Sequence, residues 1–239
     1  MTLQQIVERT RLPKVTAFRL LKTWISLGYA THDRESKSYA LSPRILSLGF
    51  PVLMSIPLRE VALPYLHDLS RTTNQNVNLG IVDGAEIFYI ERIKRKRILN
   101  IDNYVGTRLK VCESSIGKAA IAFMRDSDLK ATLCEILKGP DADKRVGIRG
   151  ENLLKELEGI RKKGYAVVNE ELMKGLRSIA APVLGADGTS EGAINLPVFS
   201  MEVSLKTLME QYLPLLLETA GQISAARGFF GQVTARKKR

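Results

Sequence analysis

The stretch that decides the fold of the N-terminal part runs from residue 12 to residue 29 and reads LPKVTAFRLLKTWISLGY. From Lys14 onward, apolar residues recur at the spacing of an amphipathic helix, at Val15, Phe18, Leu21, Trp24 and Ile25. Gly28 is the kind of residue that ends a helix in the left-handed conformation. The other side of this helix carries donors that suit phosphates and base edges: Lys14, Thr16, Arg19, Lys22 and Thr23. It is therefore our candidate for a recognition helix.

The residues around this helix predict a winged helix-turn-helix over residues 1–42. Thr2 is placed to cap a short helix through Arg9, and a tight turn then leads to Lys14. Residues 29–32 and 38–41 favour two strands joined by a polar turn. Arg34 and Lys37 lie in that turn, whose tip is expected to lie along a DNA backbone. The alternative is an ordinary helical hairpin packed on a core, but the basic outer face and the wing favour double-stranded DNA as the partner.

Positive charge is concentrated in a few segments of the chain, whose formal net charge is +11. Residues 1–49 hold eight Lys and Arg against three Asp and Glu; residues 92–97 add five cations and residues 236–239 add four. The rest is slightly acidic. A basic N-terminal unit on a slightly acidic body is typical of a DNA-binding module joined to a regulatory domain, because neutralising phosphates requires cations on one face. The tail, residues 228–239, is read as solvated.

Composition excludes several classes of protein. The chain has 239 residues, of which 45% are hydrophobic and 26% charged, as expected of a folded globular protein. Its longest apolar stretches, near Leu213–Leu217, are far shorter than the roughly 20 residues of a membrane span. With no signal segment after Met1, a cytoplasmic protein without a membrane partner is expected. Cys112 and Cys134 show no CxxC spacing, so neither a disulfide framework nor a zinc site is predicted, and no cofactor is.

The remainder of the chain is predicted to mix helices and strands. Two Asp-Gly turns, at residues 83–84 and 187–188, join pairs of predicted strands. The strands are residues 77–82, 86–91, 179–184 and 191–196. The helices are residues 57–73, 115–124, 126–137, 151–163 and 203–227, the last with a kink expected at Pro214.

An ordered series of segments resembles the IclR family of bacterial transcriptional regulators. In the N-terminal part these are residues 12–21, residues 27–29, and Tyr39, Leu41 and Pro43. In the second part they are residues 58–62 (LREVA), 105–109 (VGTRL), 115–119 (SIGKA), 164–166 (GYA), 170–171 (EE) and 175–183 (GLRSIAAPV). The resemblance implies an α+β chain: a winged helix-turn-helix, an interdomain helix at 43–56, and a GAF-like antiparallel sheet at 57–227 with a small-molecule pocket on one face. It also implies a homodimer or tetramer that holds an operator.

Three features depart from the family pattern. The helix that precedes the helix-turn-helix in the family is absent, so we expect either an upstream start or a reduced DNA-binding unit. Gly49 and Pro51 are expected to kink or split the interdomain helix. Finally, Val168-Asn169 and Ser178 stand where the family pattern has an Asp and a Cys. The last departure bears on ligand chemistry more than on the fold.

The effector site is expected at the start of the helix that begins at residue 115. Its residues are Ser114, Ser115, Ile116 and Gly117. The first turns of this helix contain the small residues Gly117, Ala119 and Ala120, which are expected to let a ligand approach the exposed N–H groups, and a helix N-terminus favours a negative group such as a carboxylate. The alternative is that Ser114 or Ser115 merely caps the helix. The resemblance implies that Asn169 and Ser178 lie across the pocket. The predicted function is a one-component switch that senses a small organic acid and controls a catabolic operon, by repression or by activation.

An enzyme is the rival class. Ser115 and Lys118 match the S-x-x-K pattern of serine nucleophiles, but the S-D-N and K-T-G partner motifs are absent. His32 and His67 belong to different predicted domains, so neither is expected to bind a metal. Glu170 and Glu171 could form an acid/base pair, but adjacent residues point in different directions in any regular element, so a solvated or capping role is favoured. No catalytic residue is therefore predicted. The alternative function is a GAF-like binding protein or a serine-dependent enzyme with a degenerate DNA-binding unit.

Overall fold

The computed structural model describes residues 1–95, 103–138 and 149–231. The chain divides into two compact units, Met1–Ile56 and Pro57–Arg239. Lys96, Arg97 and the basic tail at 236–239, which contribute to the predicted charge clusters, lie outside the described residues.

The first unit is a winged helix-turn-helix, as predicted. Its elements are α1 (Leu3–Thr10), α2 (Lys14–Ser26), β1 (Ala30–Asp33), β2 (Ser38–Leu41), a 3-10 turn (Pro43–Ile45) and α3 (Leu46–Met54). Thr2 and Gln5 form a reciprocal capping box at the start of α1. Gly28 follows α2 with φ +77°, which glycine adopts without strain. The hairpin pairs His32 with Tyr39, so its turn lies where the sequence predicted it.

The core of the first unit is small. Within residues 1–56, all of which are described, only Ala17 and Ala30 are buried. The predicted apolar stripe of α2 is therefore partly wrong: Leu21 and Ile25 are half-buried, but Val15, Phe18 and Trp24 are exposed. Val15 lies two residues, a rotation of about 200°, from the buried Ala17 and therefore belongs to the outer face.

Of the kink or split predicted at Gly49 and Pro51, the split is wrong. Helix α3 continues through Gly49 and Pro51 to Met54. A proline removes one backbone hydrogen bond, but every residue around it in α3 is at least partly exposed, so water is able to bond the carbonyl that loses its partner.

The second unit is built on a six-stranded antiparallel sheet in the order β5-β4-β3-β8-β7-β6. The strands are β3 (Val77–Asp83), β4 (Glu86–Ile93), β5 (Arg108–Lys110), β6 (Ala166–Asn169), β7 (Leu176–Leu184) and β8 (Ser190–Phe199). The helices are α4 (Pro57–Thr73), α5 (Ser115–Ala122), α6 (Asp126–Lys138), α7 (Arg149–Lys163), α8 (Leu205–Thr207) and α9 (Leu213–Ala226). The α+β, GAF-like expectation is confirmed, although the two short edge strands β5 and β6 were not predicted.

Helices cover both faces of the sheet. Ile116 of α5 lies over Gly80 of β3, whereas Leu58 of α4 lies over Gly192 of β8. Because Gly80 pairs with Ala193, the neighbour of Gly192, alternation along the strand puts these two contacts on opposite faces. Helix α5 thus occupies the face on which the effector pocket was expected.

A π-helical turn, Leu208–Tyr212, lies between α8 and α9, directly before the Pro214 at which a kink is predicted. The Leu213 N–H donates to the Leu208 carbonyl, five residues back rather than four. The wider turn precedes the proline ring, which would otherwise meet a carbonyl of a regular helix.

No single helix in the described ranges is long and apolar enough to span a membrane. Two successive helical segments, Pro43–Met54 and Pro57–Thr73, reach that length and composition only when counted together.

Candidate functional site

The outer face of α2 presents exposed cations, of which Lys22 lies over the Phe18 ring at 5.1 Å. The side chains predicted to contact DNA are all exposed: Lys14, Thr16, Arg19, Lys22 and Thr23. Arg19 lies two residues from the buried Ala17 and so points away from the core. In the described part of the chain no carboxylate lies within ion-pair distance of Lys14, Arg19 or Lys22. Their charges are therefore available to an anionic partner.

The wing has a rigid turn with two cations at its tip. The Asp33 carboxylate accepts hydrogen bonds from the Ser36 hydroxyl at 2.7 Å and from the Glu35 N–H at 2.9 Å. These bonds, led by that of Ser36, lower the pKa of Asp33. Arg34 and Lys37 are exposed at the tip, where Lys37 adopts φ +50°. The turn therefore holds its backbone shape while both cations stay accessible.

Three of the four residues predicted at the start of α5 have structural roles. Ser114 caps the helix, because its Oγ accepts from the Gly117 N–H at 3.2 Å. Ile116 is fully buried over Gly80. Gly117 packs on Val111, whose Cα would lie 2.4 Å from an added Cβ. The expectation that Gly117 opens a path for a ligand is therefore wrong, since the backbone of Val111 fills that space.

Ser115, the fourth residue, begins a row of five buried side chains that we call the polar row: Ser115, Ser178, Asn195, Asn78 and Arg92, none more than 8% exposed. Ser115 Oγ and Asn195 Nδ2 both donate to Ser178 Oγ, at 2.8 and 3.0 Å. Asn78 Nδ2 donates to Asn195 Oδ1 at 2.8 Å, and Arg92 Nη1 donates to Asn78 Oδ1 at 3.0 Å. The row joins the first residue of α5 to β7, β8, β3 and β4.

Sequence reasoning found Ser115 and Ser178 but missed the other three members. Asn78 and Asn195 face each other across β3 and β8, and Arg92 faces Asn78 from β4. An amide inside an otherwise apolar strand, such as Asn195 between Ile194 and Leu196, is the signal that could have indicated them.

Asn169 does not join Ser178. The strand register pairs Ser178 with Val168, so Asn169 points to the opposite face of the sheet. There Asn169 is exposed, and its Oδ1 accepts from Arg177 Nε at 2.8 Å. The expectation that Asn169 and Ser178 lie together across a pocket is therefore wrong, because Asn169 is one position beyond the residue that pairs with Ser178.

Lys118 is not placed to activate Ser115. Its Nζ, on a side chain only 5% exposed, lies 2.8 Å from Glu156 and 3.3 Å from Glu171. Burial acts to lower the pKa of Lys118, but the hydrogen bond and charge of Glu156, with those of Glu171, outweigh it and raise the pKa. Lys118 therefore stays a cation that joins α5 to α7 and to the segment after β6, rather than a general base.

Glu170 and His32 likewise have structural partners. Glu170 accepts from the Gly175 N–H at 3.0 Å and from Arg177 at 3.1 Å. The bond from Gly175 is the largest of the causes that lower the pKa of Glu170. His32 stacks on Tyr39, with ring centroids 4.4 Å apart.

A basic winged helix-turn-helix joined to a sheet domain with a buried polar row defines a class of protein, the transcriptional regulators with a separate sensor domain.

Comparison with known proteins identifies the family. The family model described as bacterial transcriptional regulator IclR C-terminal matches residues 50–225, and the IclR helix-turn-helix domain matches residues 1–34. The chain belongs to the IclR family of bacterial transcriptional regulators. It is a ligand-responsive regulator of the IclR type, not an enzyme, as its relatives are regulators.

Similar relatives cover most of the chain. The Pca regulon regulatory protein of Pseudomonas putida is 35% identical over 227 residues, which are 91% of this chain and 74% of that protein. The regulator KdgR of Escherichia coli is 31% identical over 225 residues, 94% of this chain and 85% of that protein. Among solved structures, an IclR family regulator from Brucella abortus has a TM-score of 0.80 at 25% identity, covering 95% of this chain and 84% of its own.

Proposed function

We propose that this regulator senses a small organic acid and controls a catabolic operon, holding its operator through α2 and the wing. The observation that carries the proposal is the polar row, which brings hydrogen-bond donors together at the start of α5. The name of the Pseudomonas putida relative, a Pca regulon regulatory protein, supports control of a regulon. Because bacterial DNA lies in the cytoplasm, the proposed DNA binding implies a cytoplasmic location.

The proposed DNA contacts divide into two kinds. Arg19, with Thr16 beside it and Lys22 one turn on, is proposed to read base edges, because the outer face of a recognition helix enters the major groove. Lys14, Thr23 and the wing cations Arg34 and Lys37 are proposed to contact phosphates, which set orientation and affinity but carry no sequence information.

The proposed effector site is the start of α5 together with Ser178. Ser114 already satisfies the Gly117 N–H, and in the described part of the chain the N–H groups of Ser115 and Ile116 have no protein acceptor. Two such groups at a helix N-terminus favour an anion. A carboxylate there would also accept from Ser178. Asn169 has no part in this site.

Ser115→Pro tests the backbone part of the effector site. Proline suits the first residue of a helix, and Ser114 already has the extended conformation that precedes proline, so α5 should form. We expect carboxylate affinity about fivefold lower than in Ser115→Ala, which also lacks the hydroxyl but keeps the N–H. Calorimetric titration with acetate, pyruvate, hexanoate and benzoate measures it. Equal affinities in the two variants would contradict the role of the N–H.

We propose that the working form is a homodimer or tetramer, and α3 supports this. The helix is apolar apart from Ser47, and five of its large residues are at least half exposed: Leu46, Leu48, Phe50, Val52 and Met54. A helix of this composition is normally buried. More than half of the surface of Leu46, Leu48, Phe50 and Val52 is exposed in the described chain, and a second copy is the proposed cover.

Phe50→Glu is expected to weaken this self-association. Placing a carboxylate in an apolar interface should raise the dissociation constant by about tenfold, which corresponds to about 1.4 kcal/mol. Sedimentation equilibrium over a concentration series measures it. Met201→Glu is the control, because Met201 is 91% exposed and lies outside α3. Equal effects of the two substitutions would argue against α3 as the interface.

A further inference from the structure

We propose that Arg92 and Asn78 fix the direction of the amide hydrogen bonds in the polar row, and that Ser178, which accepts from both Asn195 and Ser115, offers its hydroxyl hydrogen to the effector. The site would therefore select a hydrogen-bond acceptor, such as a carboxylate, and reject the corresponding amide. This inference rests on the proposed function and assigns Arg92, Asn78 and Asn195 as positioning residues for it.

The direction starts at Arg92, because a guanidinium only donates hydrogen bonds. Its Nη1 lies 3.0 Å from Asn78 Oδ1, so the amide of Asn78 must turn its oxygen toward Arg92 and its nitrogen away. That nitrogen donates to Asn195 Oδ1 at 2.8 Å. Each amide thus passes the same orientation to the next, and Asn195 can only present its nitrogen to Ser178.

The row ends with an unused hydrogen. Ser178 Oγ accepts from Asn195 Nδ2 at 3.0 Å and from Ser115 Oγ at 2.8 Å, which occupies both of its lone pairs. The hydroxyl hydrogen of Ser178 then has no acceptor among the described residues. Ser178 is only 7% exposed, and a buried donor without an acceptor is unfavourable. An acceptor atom of a bound effector would satisfy it.

The charged and titratable groups next to the polar row do not reverse the direction of its hydrogen bonds. Burial raises the pKa of Tyr89, which also interacts with Asn195, to about 12, so this phenol stays neutral. Glu91 follows Tyr89 by two residues, and its carboxylate accepts from the Arg92 backbone N–H at 2.9 Å and pairs with Arg59 at 2.7 Å. No carboxylate therefore stands within the row to reverse the direction.

Asn78→Asp reverses the direction with almost no change of shape. Aspartate still accepts from Arg92 but has no hydrogen for Asn195. The Asn195 amide is then expected to turn over, donate to residue 78 and present its oxygen to Ser178, whose hydrogen it takes. The effector site loses its donor and gains an acceptor.

The test is calorimetry on the full chain with acetate, pyruvate, hexanoate and benzoate and their primary amides. We expect the wild type to prefer the acid. In Asn78→Asp, acid affinity should fall at least about tenfold, since a bond to a charged group is lost, and amide affinity should rise. Acid binding that falls without a gain for the amide would indicate charge repulsion only and overturn the proposal. Unchanged affinities for both the acids and the amides would also overturn the proposal.

Asn76→Asp is the matched control. Asn76 is also buried and next but one in the chain, and its Oδ1 accepts from the Arg95 N–H at 2.8 Å, a bond that aspartate retains. It should keep the acid preference. Arg92→Gln is the second variant if Asn78→Asp folds poorly. Because a glutamine amide can both donate and accept, it no longer forces the direction of the Asn78 amide, and the ratio of acid affinity to amide affinity should fall several-fold. An unchanged ratio would overturn the proposal.

The proposed function and this inference fail in different ways. A wild type that binds none of the acids, or binds acid and amide equally, overturns the carboxylate site and the inference with it. A wild type that prefers the acid, with Asn78→Asp and Arg92→Gln keeping that preference, overturns the inference alone.

Discussion

Arg19→Ala is expected to weaken operator binding by about 1–3 kcal/mol while affecting random DNA much less, because a lost base contact removes sequence preference as well as affinity. Arg19 is exposed on the side of α2 away from Ala17, and no carboxylate in the described chain neutralises it. The measurement is fluorescence anisotropy with an operator obtained by selection from random sequence, at one fixed salt concentration.

Lys37→Ala is the control for this prediction. Lys37 lies at the tip of the wing, where a phosphate contact would lower the affinity for all sequences alike and reduce the salt dependence. The ratio of operator to random binding should therefore fall for Arg19→Ala and stay constant for Lys37→Ala. An equal loss on both DNAs for Arg19→Ala would show that Arg19 contacts only the backbone.

Gly117→Ala is expected to destabilise the second unit by about 3 kcal/mol, at the upper end of what overpacking usually costs. The added methyl would lie 2.4 Å from Val111 Cα and 2.6 Å from its carbonyl oxygen, and backbone atoms cannot rotate aside as a flexible side chain can. Either α5 or the turn that contains Val111 must shift. Urea unfolding followed by circular dichroism measures the change.

Gly159→Ala is the matched control, since Gly159 lies within α7 and an added methyl there meets nothing within 4 Å. Alanine at such a helical position should stabilise the protein by about 0.5–1 kcal/mol. Opposite signs for the two substitutions are the expected result. A Gly117→Ala protein as stable as the wild type would mean that α5 can move away from Val111 at little cost.

The sequence predicted the helices and the long strands well, because each carries a local period or an Asp-Gly turn. It did not predict β5 and β6, which are three and four residues long and too short to show alternation. The equally short β1 and β2 were predicted only because a polar turn joins them. Val15 was misplaced for a different reason: a valine at helical spacing is normally buried, and here the core of the first unit is so small that only Ala17 on α2 is buried.

The candidate site was predicted only where its residues follow one another in the chain. The start of α5 was visible as a run of small residues, but the bond from Asn78 to Asn195 joins positions 117 residues apart, and only the sheet order brings them together. Asn169 is the opposite case, a residue that was predicted to belong to the site but does not. Its type suited a ligand, yet strand alternation turns it away from Ser178, and a family pattern does not reveal such a difference of one residue.

The π turn at Leu208–Tyr212 has a consequence for aligning this chain with its relatives. It accommodates one residue more than an α-helical turn, so the buried Leu208 and Leu213 share a face although they are five positions apart. A relative with a regular α-helix at this place would lack that residue. An alignment that runs through this segment without a gap will then put one side of the final helix a residue out of phase, pairing core positions with solvent positions.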